Sequence, residues 1–117
     1  GATSTVPVKR QISEIAAVNY QIVREGMRLA VNDGGTAAGL NISGVQAAAK
    51  TGTAQVGVNN EYLNSWVTGF FPYDNPRYSF AMVMERGPKT NLIGATYVMR
   101  QLFEWMTIYA PEYLTIN

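Results

Sequence analysis

The sequence predicts an α+β fold in which one helix precedes a three-stranded antiparallel sheet and another helix follows it. An apolar stripe with helical spacing occurs near each end of the chain. Between the stripes, three strand-like runs are joined by links too short for crossover connections. A chain of 117 residues, 47% of them apolar, can form one small domain with its own core.

The first helix is predicted to follow an extended lead-in over residues 1–12, where Pro7 lies and no regular period is visible. Ser13 is the predicted N-cap, because its hydroxyl can accept a hydrogen bond from a free first-turn N–H. Asp33, Gly34 and Gly35 should end the helix, since they tolerate left-handed backbone. The predicted stripe is Ile15, Asn19, Ile22, Val23, Gly26, Met27 and Ala30.

The three predicted strands cover residues 46–56, 64–71 and 77–85. Asn59 and Asn60 suit a hairpin turn over residues 57–60, and residues 72–76 have turn composition. In the second strand, Trp66, Thr68 and Phe70 alternate with residues that should face the opposite side. Two short links between three strands predict an antiparallel meander.

The last helix is predicted after Gly87-Pro88 ends the sheet, with Thr90 or Asn91 as its N-cap and Pro111 as its end. Its predicted apolar stripe is Leu92, Ala95, Val98, Met99, Leu102, Phe103 and Met106.

Composition excludes several kinds of site. Without cysteine or histidine, the chain cannot form disulfides, a catalytic thiol or a Ser-His-Asp triad, and we expect no metal or cofactor. Nine basic and eight acidic residues give a net charge of +1, so no nucleic-acid partner is expected. No run approaches the roughly 20 apolar residues that a membrane-spanning helix needs.

The sharpest motif is Lys50-Thr51-Gly52-Thr53, inside the first predicted strand. A lysine after three alanines can hold positive charge beside a substrate carboxylate, and Gly52 allows close approach of a ligand. An edge strand also leaves backbone N–H groups free to act as oxyanion donors. In an ideal pleat, Thr51 and Thr53 face away from Lys50, so a twist or bulge near Gly52 is expected to bring them to one cleft.

The motif and its surroundings resemble the C-terminal part of a penicillin-binding protein transpeptidase domain, in the serine β-lactamase-like superfamily. The similar stretches, in order, are residues 24–27, 35–37, 49–55, 66–72 and 78–84. The resemblance spans Ser13 to Met106, and the whole chain, residues 1–117, is interpreted as a C-terminal segment of such a domain.

The resemblance implies a role for each motif residue. Lys50 would bind the carboxylate of the substrate or β-lactam and tune proton transfer, while the hydroxyls of Thr51 and Thr53 would bind the same carboxylate. The Thr53 backbone N–H would be an oxyanion donor, with Gly52 and Gln55 at the cleft. Implied partners are the peptidoglycan stem peptide, β-lactams and the remaining N-terminal part of the domain. The implied location is extracytoplasmic, in a membrane-anchored parent.

Two of the family's motifs are missing. None of the five serines (Ser4, Ser13, Ser43, Ser65 and Ser79) has lysine three residues later, so the S-x-x-K nucleophile is absent. No serine fits S-x-N, and both Y-x-N triplets, at residues 62–64 and 73–75, follow the lysine motif rather than precede it. We therefore expect this chain alone to be inactive, with the nucleophile in another segment or chain.

Two alternatives remain open on the sequence: a non-catalytic module that binds peptides along the Lys50 strand, and a purely structural α+β domain. The resemblance also implies that the third strand pairs with a strand outside this chain. Without that strand, the Tyr78–Glu85 edge would be unprotected, and self-association through it is expected.

Overall fold

The computed structural model describes residues 1–90 and 93–115. Helix α1 (Ala17–Asn32) is followed by a short 3₁₀ helix (Ala38–Leu40) and by strands β1 (Ala48–Val56), β2 (Tyr62–Phe71) and β3 (Tyr78–Pro88). Helix α2 (Ala95–Tyr109) and a second 3₁₀ helix (Pro111–Tyr113) complete the chain. This arrangement confirms the predicted α+β class and is consistent with part of a transpeptidase-like fold.

Helix α1 begins later than predicted and buries little of its predicted stripe. Its N-cap is Ala16, which makes no side-chain capping bond, so the assignment of Ser13 is wrong. Residues 1–16 are exposed and contain no helix or strand, so no packing favours an earlier start. Ile22 is 60% exposed, while Val31, outside the predicted stripe, is fully buried. The predicted end is correct: the helix stops at Asn32, and Gly34 has φ 69°.

The sheet has the predicted meander order β1-β2-β3, with both pairs antiparallel. Within the described residues, neither β1 nor β3 has a strand on its outer side. The alternation predicted for β2 is confirmed, because Val67, Gly69 and Phe71 are buried and Trp66 and Thr68 are exposed. Phe71 contacts Phe103 of α2, whereas Phe70 lies under the Arg24 guanidinium of α1, 5.6 Å from its ring centre.

The β1–β2 turn is fixed by its backbone and by one carboxylate. Gly57 and Asn60 have φ values of 95° and 54°, as a tight turn requires. The Glu61 carboxylate accepts the Asn59 N–H at 2.8 Å. Hydrogen bonds from the backbone N–H groups of Glu61 and Asn59 lower the pKa of the Glu61 carboxyl, and the positive charges of Arg86 and Lys89 lower it further. The turn thereby sets the register between β1, which contains the motif, and β2.

Helix α2 covers the inner face of the sheet with three buried residues of its predicted stripe, Ala95, Met99 and Phe103. Its N-cap is Gly94, so Thr90 is not the cap, and Asn91 and Leu92 lie outside the described residues. The cap is supplied from a distance instead: the Ala95 N–H donates to the Ser65 hydroxyl on β2 at 2.9 Å. This bond satisfies one of the free first-turn donors of the helix.

The end of α2 lies where Pro111 predicts it, with Tyr109 as the last helical residue.

No helix of the described ranges combines the length and apolar character needed to cross a bilayer.

Candidate functional site

The four motif residues lie in the middle of β1, on the open edge of the sheet. Their partners across β2 are Thr68 for Lys50, Val67 for Thr51, Trp66 for Gly52 and Ser65 for Thr53. Three buried alanines, Ala47, Ala48 and Ala49, precede the motif, so the backbone is packed up to the lysine and opens there to solvent.

The expected bulge near Gly52 is absent. The β1–β2 register runs without a shift from Ala48 opposite Phe70 to Val56 opposite Tyr62. Lys50 and Gly52 therefore share one face of the sheet, and Thr51 and Thr53 share the other. The irregularity lies instead in the β2–β3 pairing, between Leu63 and Ser65. The tight turn at residues 57–60 closes a regular hairpin without an extra residue, so a bulge does not bring Lys50 and the threonines to one cleft.

Lys50 is exposed, although the alanines directly before it are buried. Its Nζ donates to the carbonyl oxygen of its neighbour Thr51. Within residues 1–90 and 93–115, no carboxylate forms an ion pair with Lys50. The ion pair found in these ranges joins Arg100 to Glu104 at 2.8 Å. The Lys50 ammonium is therefore available to a negatively charged ligand.

The threonines of the motif have different surroundings. Thr51 is half-buried, and its Oγ1 lies 2.8 Å from the Oγ1 of Thr36, in the loop after α1. Thr53 is exposed and lines a cavity of about 280 Å³, which Ser65, Lys89 and Gly94 also border. Gln55 is exposed two residues further on, on the face of the threonines. The structure thus brings Thr51, Thr53 and Gln55 to one face of β1.

A separate cavity of about 760 Å³ lies between the 41–46 loop and the C-terminal end of α2. Arg28, Val45 and Leu114 are among its lining residues, but no residue of the motif borders it. We therefore place the candidate site at β1 and not in this larger cavity.

Two arginines of α1 hold the segment that leads into β1, although the sequence pattern predicts no role for them. The Arg28 guanidinium donates to the Ala47 carbonyl at 2.7 Å, and Arg24 donates to the Tyr73 carbonyl at 3.1 Å. Tyr73 in turn donates its N–H to the Gln46 carbonyl at 2.8 Å and stacks under both guanidinium groups. The sequence does contain a signal for these contacts: arginines lie on the polar face of α1, and an aromatic residue, Tyr73, lies in the turn after β2.

The site offers hydroxyls, backbone groups and one ammonium, which suit binding of a carboxylate. Among the described residues, no cluster of acidic side chains could hold a metal ion. A carboxylate beside Lys50 would gain charge-assisted hydrogen bonds, and hydroxyls on the same strand could complete its coordination.

No curated protein matches the chain. The family model of the penicillin binding protein transpeptidase domain, however, matches residues 2–104, which is most of the sequence. Domains of this kind serve in peptidoglycan synthesis, bind peptidoglycan and β-lactams, and generally lie outside the cytoplasm. With the α+β fold and the motif on its edge strand, this match shows that the chain belongs to the penicillin-binding protein transpeptidase domain family.

Proposed function

We propose that the chain supplies the carboxylate-binding and oxyanion strand of a D,D-transpeptidase, while residues outside these 117 supply the serine nucleophile. The observation that carries the proposal is the exposed Lys50 on the open edge of β1, with no carboxylate of the described chain paired to it. The parent protein would act on peptidoglycan stem peptides, be acylated by β-lactams, and work as a membrane-anchored enzyme outside the cytoplasm.

Edge geometry allows one ligand to use both faces of β1. An extended peptide lying alongside the strand would have Lys50 on one side and the hydroxyls of Thr51 and Thr53 on the other. No bulge is needed for this arrangement, because the ligand lies beside the strand and not above one face. The Thr53 backbone N–H is the proposed oxyanion donor. Gln55, two residues further along β1, borders the cleft in which the peptide would lie.

Gly52 supports a close approach at the same edge. A Cβ built at Gly52 would make only ordinary contact, 3.7 Å from the Cβ of Trp66. Packing within the described chain therefore does not require glycine at this position. Glycine at this position leaves the edge open to close approach by a substrate backbone.

The serines of the chain support an external nucleophile. None is followed by lysine at the third position, so none has the base that the family pattern provides. Ser65 is engaged structurally, because its hydroxyl caps α2 through the Ala95 N–H.

In the parent domain, we expect Lys50→Ala to slow acylation by a labelled penicillin about 10- to 100-fold, the value of one charge-assisted hydrogen bond. Lys9→Ala is the matched control, since Lys9 is an exposed lysine of the lead-in. The labelled fraction is followed in time by gel fluorescence. Equal rates for the two variants would favour the purely structural interpretation.

The peptide-binding alternative is tested on the chain alone. Titration with an acetylated peptide ending in D-Ala-D-Ala should give no tight saturable shift if the strand only orients a substrate for an external serine. Saturable binding at low micromolar concentration, lost in Lys50→Ala, would identify a stand-alone binding module instead.

Self-association of the isolated chain is a further expectation. The outer edge of β3 is unpaired within the described residues and carries half-buried Tyr78, Phe80 and Met82. Sedimentation velocity of the isolated chain should show dimers or larger species that increase with concentration, and Val83→Lys on the open edge should reduce them. A monomer at all concentrations would contradict the expectation.

A further inference from the structure

We propose that Thr36 is a positioning residue that orients the Thr51 hydroxyl toward the substrate carboxylate; this inference rests on the function proposed above. The two side-chain oxygens are 2.8 Å apart, although the residues are 15 positions apart in the chain. Thr36 belongs to the loop between α1 and β1 and is not part of the motif strand.

The backbone holds Thr36 firmly from both sides. A Cβ at Gly35 would lie 2.6 Å from the Cα of Ala30, so only glycine allows the loop to press this closely against α1. On the other side, Ala37 is fully buried and donates its N–H to the Ala30 carbonyl at 3.0 Å. The Ala38 N–H closes the turn on the Gly35 carbonyl at 3.1 Å. Thr36 therefore presents its hydroxyl from a fixed position.

Thr51 is fixed less completely without this contact. It lies on the edge strand, where only its β2 side has a strand neighbour, Val67. As a β-branched residue it has few χ1 rotamers, and the hydrogen bond to Thr36 selects one of them. Loss of the bond would leave the Thr51 hydroxyl free to populate the other rotamers.

The hydroxyl pair can also change its direction of donation when a ligand binds. The two hydroxyl oxygens are 2.8 Å apart, and either hydroxyl can be the donor. A carboxylate only accepts hydrogen bonds, so Thr51 must donate to it in the bound state. The Thr36 hydroxyl can then rotate and donate to Thr51, and a chain of two hydroxyls polarises in one direction toward the negative charge. Thr36 thus acts through Thr51 without touching the substrate.

The direct test is the χ1 distribution of Thr51, measured by three-bond coupling constants in the labelled chain. Wild-type and Thr36→Ser chains, which keep a hydroxyl, should show one dominant rotamer. Thr36→Val keeps the shape but removes the hydroxyl, and its Thr51 couplings should move toward averaged values. Unchanged Thr51 couplings in Thr36→Val would overturn the proposal.

The functional test uses penicillin acylation of the parent domain. Thr36→Val should slow acylation about 3- to 10-fold, the value of one neutral hydrogen bond, and Thr36→Ser should restore it. Thr107→Val is the matched control, because it removes a hydroxyl bonded to the Glu104 carbonyl on α2, away from the motif. Equal slowing in Thr36→Val and Thr36→Ser would overturn the proposal. Failure of the proposed function appears separately, as normal acylation in Lys50→Ala.

Discussion

Replacement of Phe103 by alanine should lower the free energy of unfolding by about 3–5 kcal/mol, the usual range for a buried aromatic side chain. Phe103 is fully buried and joins α2 to the sheet. Its ring meets the rings of Phe71 and Phe80 edge to face, with centres 5.1 and 5.6 Å apart. Truncation would leave a cavity between the two layers, and urea denaturation followed by circular dichroism measures the loss.

Trp105→Ala is the matched control, because it truncates an aromatic residue of the same helix whose side chain is 53% exposed. Trp105 contacts Tyr109, with ring centres 5.3 Å apart, so we expect a loss of at most about 1 kcal/mol. An equal loss of unfolding free energy in both variants would contradict the packing of Phe103 between α2 and the sheet.

The second large effect is expected at Gly69, where Gly69→Ala should destabilise the chain by about 1–3 kcal/mol or more. A Cβ at this position would overlap the carbonyl oxygen of Ala48 and lie 2.8 Å from the Cζ of Phe80. The Ala48 carbonyl belongs to the β1 backbone and cannot move without shifting the strand. Because Lys50 is two residues further along β1, the shift would also reach the motif.

Gly52→Ala provides the comparison, since it adds the same methyl group to the paired strand β1. Its Cβ would meet only Trp66, at ordinary contact distance, so the free energy of unfolding should change by less than about 0.5 kcal/mol. Urea denaturation of the two variants side by side tests the difference. Equal destabilisation would show that a glycine is needed for strand conformation at both positions, and not for close contact at Gly69.

The sheet could be predicted from the sequence because its connections are local. Short turns such as residues 57–60 leave antiparallel pairing as the only arrangement, and the alternation in β2 then fixes which side is buried. Helix starts could not be predicted in the same way. Ser13 has good capping chemistry but lies in an exposed stretch, whereas α2 takes its capping oxygen from Ser65, 30 residues earlier.

The candidate site could be predicted only in part, because a sequence pattern reveals local features and not contacts between distant residues. The motif at residues 50–53 is a local signal, and its strand placement is confirmed. The contacts that support it join distant residues: Thr36 to Thr51, Arg28 to Ala47, and Arg24 to Tyr73 over 49 positions. No local period contains such pairs, because they arise from how α1 packs against β1.

The most direct test of the proposed division of labour is covalent labelling by a fluorescent penicillin, followed by mass spectrometry of the peptides. The 117-residue chain alone should form no adduct, because none of its serines lies in an S-x-x-K sequence. The parent domain should be labelled on a serine outside these residues. An adduct on any residue of this chain, such as Ser43 or Ser65, would contradict an external nucleophile.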